Sequence, residues 1–208
     1  MAQYLKQDVR DRILDAAVRS FAESGYVAAT MRQIAKAAGL SSGNVYRYFG
    51  GKEDLFAAAL PTNFLTTFDS LVRRRVRSLR GVRDVASLAP NADFYLVSEE
   101  LLRFCIDYRL RVVVLLSRSS GSVHASFGER MVRQLVNMAV EHARSIGHGR
   151  RLTAPERFAL EQIYRNFVVA MAQILTNYDD ESRIRSSLRR FERYHLAGLK
   201  SFFEGDAP

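Results

Sequence analysis

Along almost the whole of this chain, apolar residues recur at intervals of three and four, and no convincing strand or hairpin pattern interrupts them. Stretches rich in Ala, Leu, Arg and Glu carry that spacing, broken by only four prolines and twelve glycines in 208 residues. Such stretches favour helices over a sandwich or barrel, so the expected fold class is all-α. Val9, Ile13, Ala16, Ala17 and Phe21 mark one face of an amphipathic helix over about 8–24, which Gly25 ends where a left-handed cap is preferred. Thr30 caps a short helix, MRQIAKAA, with Ile34 and Ala35 facing inward. Gly39 ends it, Leu40 plugs the turn, and Ser41 or Ser42 caps a second short helix, GNVYRYF. Two short helices joined by a tight turn containing Gly make a helix-turn-helix. The second offers the core little beyond Val45 and Phe49, which suits a helix whose outer face touches something else.

From Lys52 a long helix is expected to about residue 80, kinked at Pro61. Later helices are expected at about 91–107, 109–118, 125–146, 155–177 and 180–203, with Asn91, Thr153 plus Glu156, and Asp179 or Asp180 as start signals. Breaks fall at Gly81, around Ser117 to Ser122, and at Gly147 to Arg151.

The longest apolar runs, Val112 to Leu116 and Phe167 to Ala172, fall far short of the roughly 18 residues of a membrane span. The opening MAQYLKQDVR lacks a signal-peptide core, and Cys105 is the only cysteine. These features predict a cytoplasmic protein with no membrane partner and no internal disulfide. The net charge of +9 favours an anionic partner such as nucleic acid. Its distribution does not locate one, because residues 1–56 contribute only +2 and the remainder +7. His124, His142, His148 and His195 have no metal-ligand spacing with Cys105 or with one another. Phosphate-loop, dinucleotide, nucleophile-elbow and zinc-protease motifs are absent from the sequence, so neither an enzyme nor a cofactor is expected.

Taken together, residues 13–56 resemble the TetR family of bacterial repressors. The resemblance rests on IleLeu-x-AlaAla with Phe21, Gly25-Tyr26, Thr30, Ile34-Ala35, Ala38-Gly39-Leu40-Ser41 and Gly43-Asn44. It continues through Val45-Tyr46-Arg47-Tyr48-Phe49 and Lys52-Glu53-Asp54-Leu55-Phe56 without a gap. It implies a three-helix helix-turn-helix DNA-binding domain over 1–51, and a helical-bundle domain for ligand binding and dimerisation over 52–208. The function it implies is a ligand-responsive, sequence-specific transcriptional regulator: a repressor that binds a palindromic operator as a homodimer and is released by a small molecule. Two rivals are a DNA-coating protein without sequence preference, and a helical small-molecule binder with a vestigial motif.

The chemistry of such a site follows from groove geometry. A helix laid in the major groove shows its amino-terminal residues to base edges while its flanks grip phosphates. Ser41, Ser42, Gly43 and Asn44 stand at that end, Gly43 permitting close approach and Asn44 suiting an adenine edge. Tyr46, Arg47 and Tyr48 are phosphate candidates, and Thr30 joins them at the start of the preceding helix. By the resemblance, Arg32 reaches a base or phosphate and Lys52 holds a phosphate at the start of the long helix. One departure from the family pattern is Gly50-Gly51, where members usually carry a capping Ser or Asn before the lysine; the joint is expected to be looser.

In the second domain, Ile184, Leu188, Phe191, His195, Gly198 and Phe202 step by 4, 3, 4, 3 and 4 along the last helix. That is a seam for another helix. With Phe158, Phe167, Met171 and Ile174 of the helix before it, the resemblance implies a four-helix dimer interface. Candidate ligand contacts are Phe94, Tyr95, Glu99, Phe104, His124, Phe127, Tyr164 and Asn166. Arg73, Arg74, Arg75, Arg77, Arg80 and Arg83 flank a stripe of Val72, Val76 and Leu79, and read as a solvated face, with an anionic effector or DNA backbone as the rival reading.

Overall fold

The computed structural model describes residues 2–147 and 151–204. Ten α-helices and no strand occur among them: α1 (Ala2–Ala28), α2 (Met31–Ala37), α3 (Ser42–Tyr46), α4 (Lys52–Ala59), α5 (Thr62–Arg77), α6 (Asp93–Asp107), α7 (Arg109–Val113), α8 (Phe127–Ser145), α9 (Ala154–Asn177) and α10 (Glu181–Glu204). The fold is all-α, as the spacing of apolar residues requires. No single helix is long and apolar enough to cross a membrane. His148 lies outside the described residues.

Local signals account for most boundaries. Gly25 breaks α1 with φ +77°, a value that costs a residue without Cβ nothing. Thr30 and Gln33 form a reciprocal capping box, the Gln33 N–H donating to Thr30 Oγ1 and the Thr30 N–H to Gln33 Oε1. Thr153 and Glu156 do the same for α9, and the Asp180 carboxylate accepts the Arg183 N–H at the start of α10. The single long helix expected after Lys52 is instead two, because Pro61 cannot continue α4 and opens α5. Beyond α7 the chain forms one π-helical turn, Val114–Arg118, where a regular helix to 118 was expected.

The helices gather into two compact units. Met1–Leu65 with Tyr108–Gly128 make the first, Thr66–Asp107 with Glu129–Pro208 the second. The expected division at 51/52 thus falls inside the first unit. The reason is the apolar face of α1: Ile13, Ala16, Ala17 and Phe21 are buried on it, against α2, α4, α7 and the π-helical turn. Leu55 and Phe56 of α4 and Val112 to Leu115 supply the cover. A helix-turn-helix of about fifty residues buries too little surface to stand alone, and these segments enlarge its core. The loop after the π-helical turn fits tightly, with Ser119 Oγ donating to the His124 carbonyl at 3.1 Å. Gly121 has φ +80°, and a Cβ there would stand 2.8 Å from Val27 Cγ2.

In the second unit α10 packs on α9 and α6. Part of the seam expected to face a partner is filled within the chain. Ile184, Leu188 and His195 are buried, Phe191 stacks on Phe167 at 5.5 Å between centroids, and His195 lies 4.2 Å from the Phe167 ring. The rest is open to varying degrees: Phe158 is 64% exposed and Gly198 is exposed, while Phe167, Met171, Ile174, Phe191 and Phe202 are half-buried. A 3-4-3-4 apolar repeat identifies a helix-packing face without saying whose helix fills it, and here the near neighbour fills part.

Of the arginine run, Arg77, Arg80 and Arg83 are exposed, while the first three arginines have partners. Arg73 donates to Asp69 and Gln134, Arg74 to Glu100, and Arg75 to Ser98 and Glu192. The Arg75 guanidinium also lies 5.0 Å over the Phe94 ring. It faces buried titratable groups. Burial pushes the Cys105 thiol up to about 12 and raises the Tyr164 phenol, while Arg75 opposes both shifts. His195 is driven down to about 4, by burial first and then by Arg75.

Two outcomes follow from this packing. Gly121→Ala lowers stability by at least about 1 kcal/mol through its left-handed φ alone. Its collision with Val27 adds to that, so urea titration finds a smaller cost in a Val27→Ala background. For His195, the unfolded imidazole takes a proton near 6.5 whereas the folded one resists until about 4. Its contribution is therefore complete above pH 6.5 and is lost as pH falls towards 4, on the order of 3 kcal/mol in all. Unfolding midpoints measured at pH 7.5 and pH 4.5 differ less for His195→Gln than for the native chain.

Candidate nucleic-acid interface

α2 and α3 are held at their turn by cations from α1. Arg12 Nη2 donates to the Ala38 carbonyl at 2.7 Å, a position where positive charge also meets the carboxyl end of α2. Arg10 lies 5.2 Å over the Phe49 ring, just past the end of α3. Val45 and Phe49 are fully buried, which turns the opposite side of α3 outward. Ser41 caps α3 by accepting the Asn44 N–H, leaving the Asn44 side chain exposed beside Gly43. Tyr46 is 53% exposed, Arg47 is exposed, and Ser42 and Tyr48 are half-buried. Thr30 and Arg32 are exposed at the start of α2. Nine of the ten residues expected to touch DNA thus stand exposed or half-exposed around α2 and α3, and among the described residues only Thr30 and Ser41, whose hydroxyls cap helices, have a partner for their functional ends.

Lys52 is the tenth and differs. Its ammonium donates to the carbonyls of Tyr26, Val27 and Ala29 at 2.8, 3.1 and 3.0 Å, and it lies 4.6 Å from the Tyr26 ring centroid. Tyr26 in turn packs edge-on against Phe56, which meets Phe21 and the His124 ring. The sequence signal for this arrangement was the pairing of Gly25-Tyr26 with a lysine at the start of the next long helix, but nothing in their spacing says that the two meet. Arg10 and Arg12 were likewise missed, because charged residues on the polar face of an amphipathic helix are unremarkable in a sequence.

The start of α4 carries no side-chain cap, as Gly50-Gly51 implies. Two other contacts stand in: the Asp54 carboxylate accepts the Gly50 N–H at 2.9 Å, and Lys52 anchors the first turn. The joint is tied, and the looseness expected of two glycines is offset.

The eight expected ligand contacts are divided between the two units. His124 and Phe127 belong to the first unit and the other six to the second. Phe94 is packed beneath Arg75, Tyr95 donates its hydroxyl to the Val85 carbonyl, and Phe104 stacks on Phe68. Glu99 pairs with Arg185 at the surface, Tyr164 is buried beside His195, and Asn166 is exposed.

Gly51 is extended, with φ 173°, and a Cβ added there meets nothing within 4 Å. Gly51→Ser therefore stabilises the fold by a few tenths of a kcal/mol from the cap plus about as much from a stiffer unfolded chain, and thermal unfolding finds a higher melting temperature.

Known proteins share the sequence of this interface. Residues 13–59 match the family described as bacterial regulatory proteins, tetR family. The chain is 37% identical over 75 residues to the HTH-type transcriptional regulator HbdR of Aromatoleum sp. (strain CIB), covering 36% of this chain and 32% of that protein. It is 49% identical over 49 residues to the HTH-type transcriptional repressor AcnR of Corynebacterium glutamicum, covering 24% and 26%. These matches thus span a quarter to a third of the relatives' length. Among solved structures, MexZ of Pseudomonas aeruginosa is similar over 94% of this chain and 96% of its own, at 22% identity and a TM-score of 0.46. The similarity to bacterial regulatory proteins of the tetR family thus lies in the amino-terminal helix-turn-helix and the start of α4.

Proposed function

We propose that this protein is a sequence-specific transcriptional regulator acting in the cytoplasm: a repressor that binds a palindromic DNA operator as a homodimer and is released by a small molecule. The observation that carries this reading is the outward face of α3, where Gly43, Asn44, Tyr46 and Arg47 are exposed while Val45 and Phe49 anchor the helix from behind. Asn44 there would read a base edge, with the Tyr46 hydroxyl and Arg47 on flanking phosphates. HbdR and AcnR, named as a transcriptional regulator and a transcriptional repressor, share this stretch of sequence.

A five-residue helix reaches few bases, so a second copy is needed to read a site of useful length. The outer faces of α9 and α10 supply a surface for it. Phe158 and Val169 lie three turns apart on α9 and are 64% and 48% exposed, and Tyr194 of α10 is 77% exposed. Apolar side chains so uncovered gain by meeting their symmetry mates. The two α3 helices must then stand about one turn of DNA, roughly 34–36 Å, apart. Support for a ligand comes from the second unit, where Gln134 Nε2 and His142 Nδ1 are buried without a hydrogen-bond partner among the described residues. Buried polar atoms of that kind are groups a bound molecule can satisfy.

Selection of random duplexes by the purified protein, followed by sequencing, tests the reading directly. Enrichment of an inverted repeat is the expected result; recovery of an unenriched pool excludes sequence specificity. Against the selected site, Asn44→Ala costs about 1–3 kcal/mol and relaxes preference at one position of each half-site. Tyr46→Phe instead weakens binding to all duplexes alike.

A further inference from the structure

We infer that Lys52 is a positioning residue of the DNA-binding face and not a ligand for phosphate; the inference rests on the DNA-binding function proposed above. An ammonium has three protons to donate. At Lys52 three carbonyl oxygens take them, those of Tyr26, Val27 and Ala29, all within 3.1 Å. Tyr26 and Val27 lie past the break in α1 at Gly25, in the short segment that leads into α2. Ala29 immediately precedes Thr30, the cap of α2. One side chain at the first position of α4 thus fixes both the end of α1 and the start of α2. A phosphate could recruit the ammonium only by stripping carbonyls of their donor.

The tie also explains how Gly50-Gly51 is tolerated. The backbone leading into α4 has no side-chain cap, yet the residue after it is pinned to the turn that orients α2. On the other flank of that turn, Gly121 sits against Val27 and Tyr26. The segment 26–29 is therefore held from two sides within one unit, with Lys52 supplying the polar side.

Lys52→Met and Lys52→Arg separate the two roles. A phosphate ligand survives as arginine, whereas a flat guanidinium cannot aim three N–H groups at carbonyls converging on a point. With the selected operator, both variants are expected to bind roughly tenfold more weakly at every salt concentration. The slope of log affinity against log salt stays at the native value in both. Both also melt at lower temperature in the absence of DNA. A slope reduced by about 0.9 in Lys52→Met, the signature of one lost phosphate contact, overturns the inference. So does a native melting temperature and affinity for Lys52→Arg, which answers the question alone should the methionine variant not fold. If the native protein itself binds no duplex, the function proposed above fails. The melting temperature of Lys52→Arg then still decides whether the tie exists.

Discussion

Everything in the first unit depends on covering one side of α1. Its core positions are small or flat, with Ala16 and Ala17 between Ile13 and Phe21, so neighbouring backbones approach closely. That closeness excludes water from α2, α4 and the Val112 to Leu115 run at once. At about 25 cal/mol per Å² of apolar surface, a face shared by four neighbours contributes far more than any single cap or ion pair. The polar contacts act on top of it. Arg12, Arg10 and Lys52 add little hydrophobic burial, but they decide the angle at which α2 and α3 leave the core.

Much of this was legible in the sequence. Helix periodicity, the Thr30 and Thr153 capping boxes and the break at Gly25 act over four or five residues, and each appears where the local chemistry requires it. The exposed face of α3 was legible for the same reason, since only Val45 and Phe49 could serve the core. Partners distant in the chain were not. Nothing in the run Val112 to Leu115 announces that it belongs beneath α1, about a hundred residues earlier. The split at Pro61 is a case between, because proline licenses either a kink or a stop and tertiary packing chooses.

The second unit shows how much of a packing face one chain can fill by itself. The repeat through Ile184, Leu188 and His195 is a packing face, and Phe167 and Phe191 fill part of it inside one chain. The arginines after Val72 behave likewise. A run without acids looks solvated, and its second half is exposed, yet Arg73, Arg74 and Arg75 find Gln134, Glu100 and Glu192 on helices that the sequence does not place nearby. Pattern reports that a surface is complementary to something; only the fold names the complement.

The first unit is assembled from two separate stretches of chain, and that bears on how such proteins can be recombined. A single crossover after α3 or α4 would transplant the recognition helices without Tyr108–Gly128, leaving α1 bare where the π-helical turn now lies. Moving α2 and α3 together with the core that supports them therefore takes two matched exchanges, the second about a hundred residues after the first. A change of side-chain volume on the inner face of α1 is therefore felt in a segment about a hundred residues away.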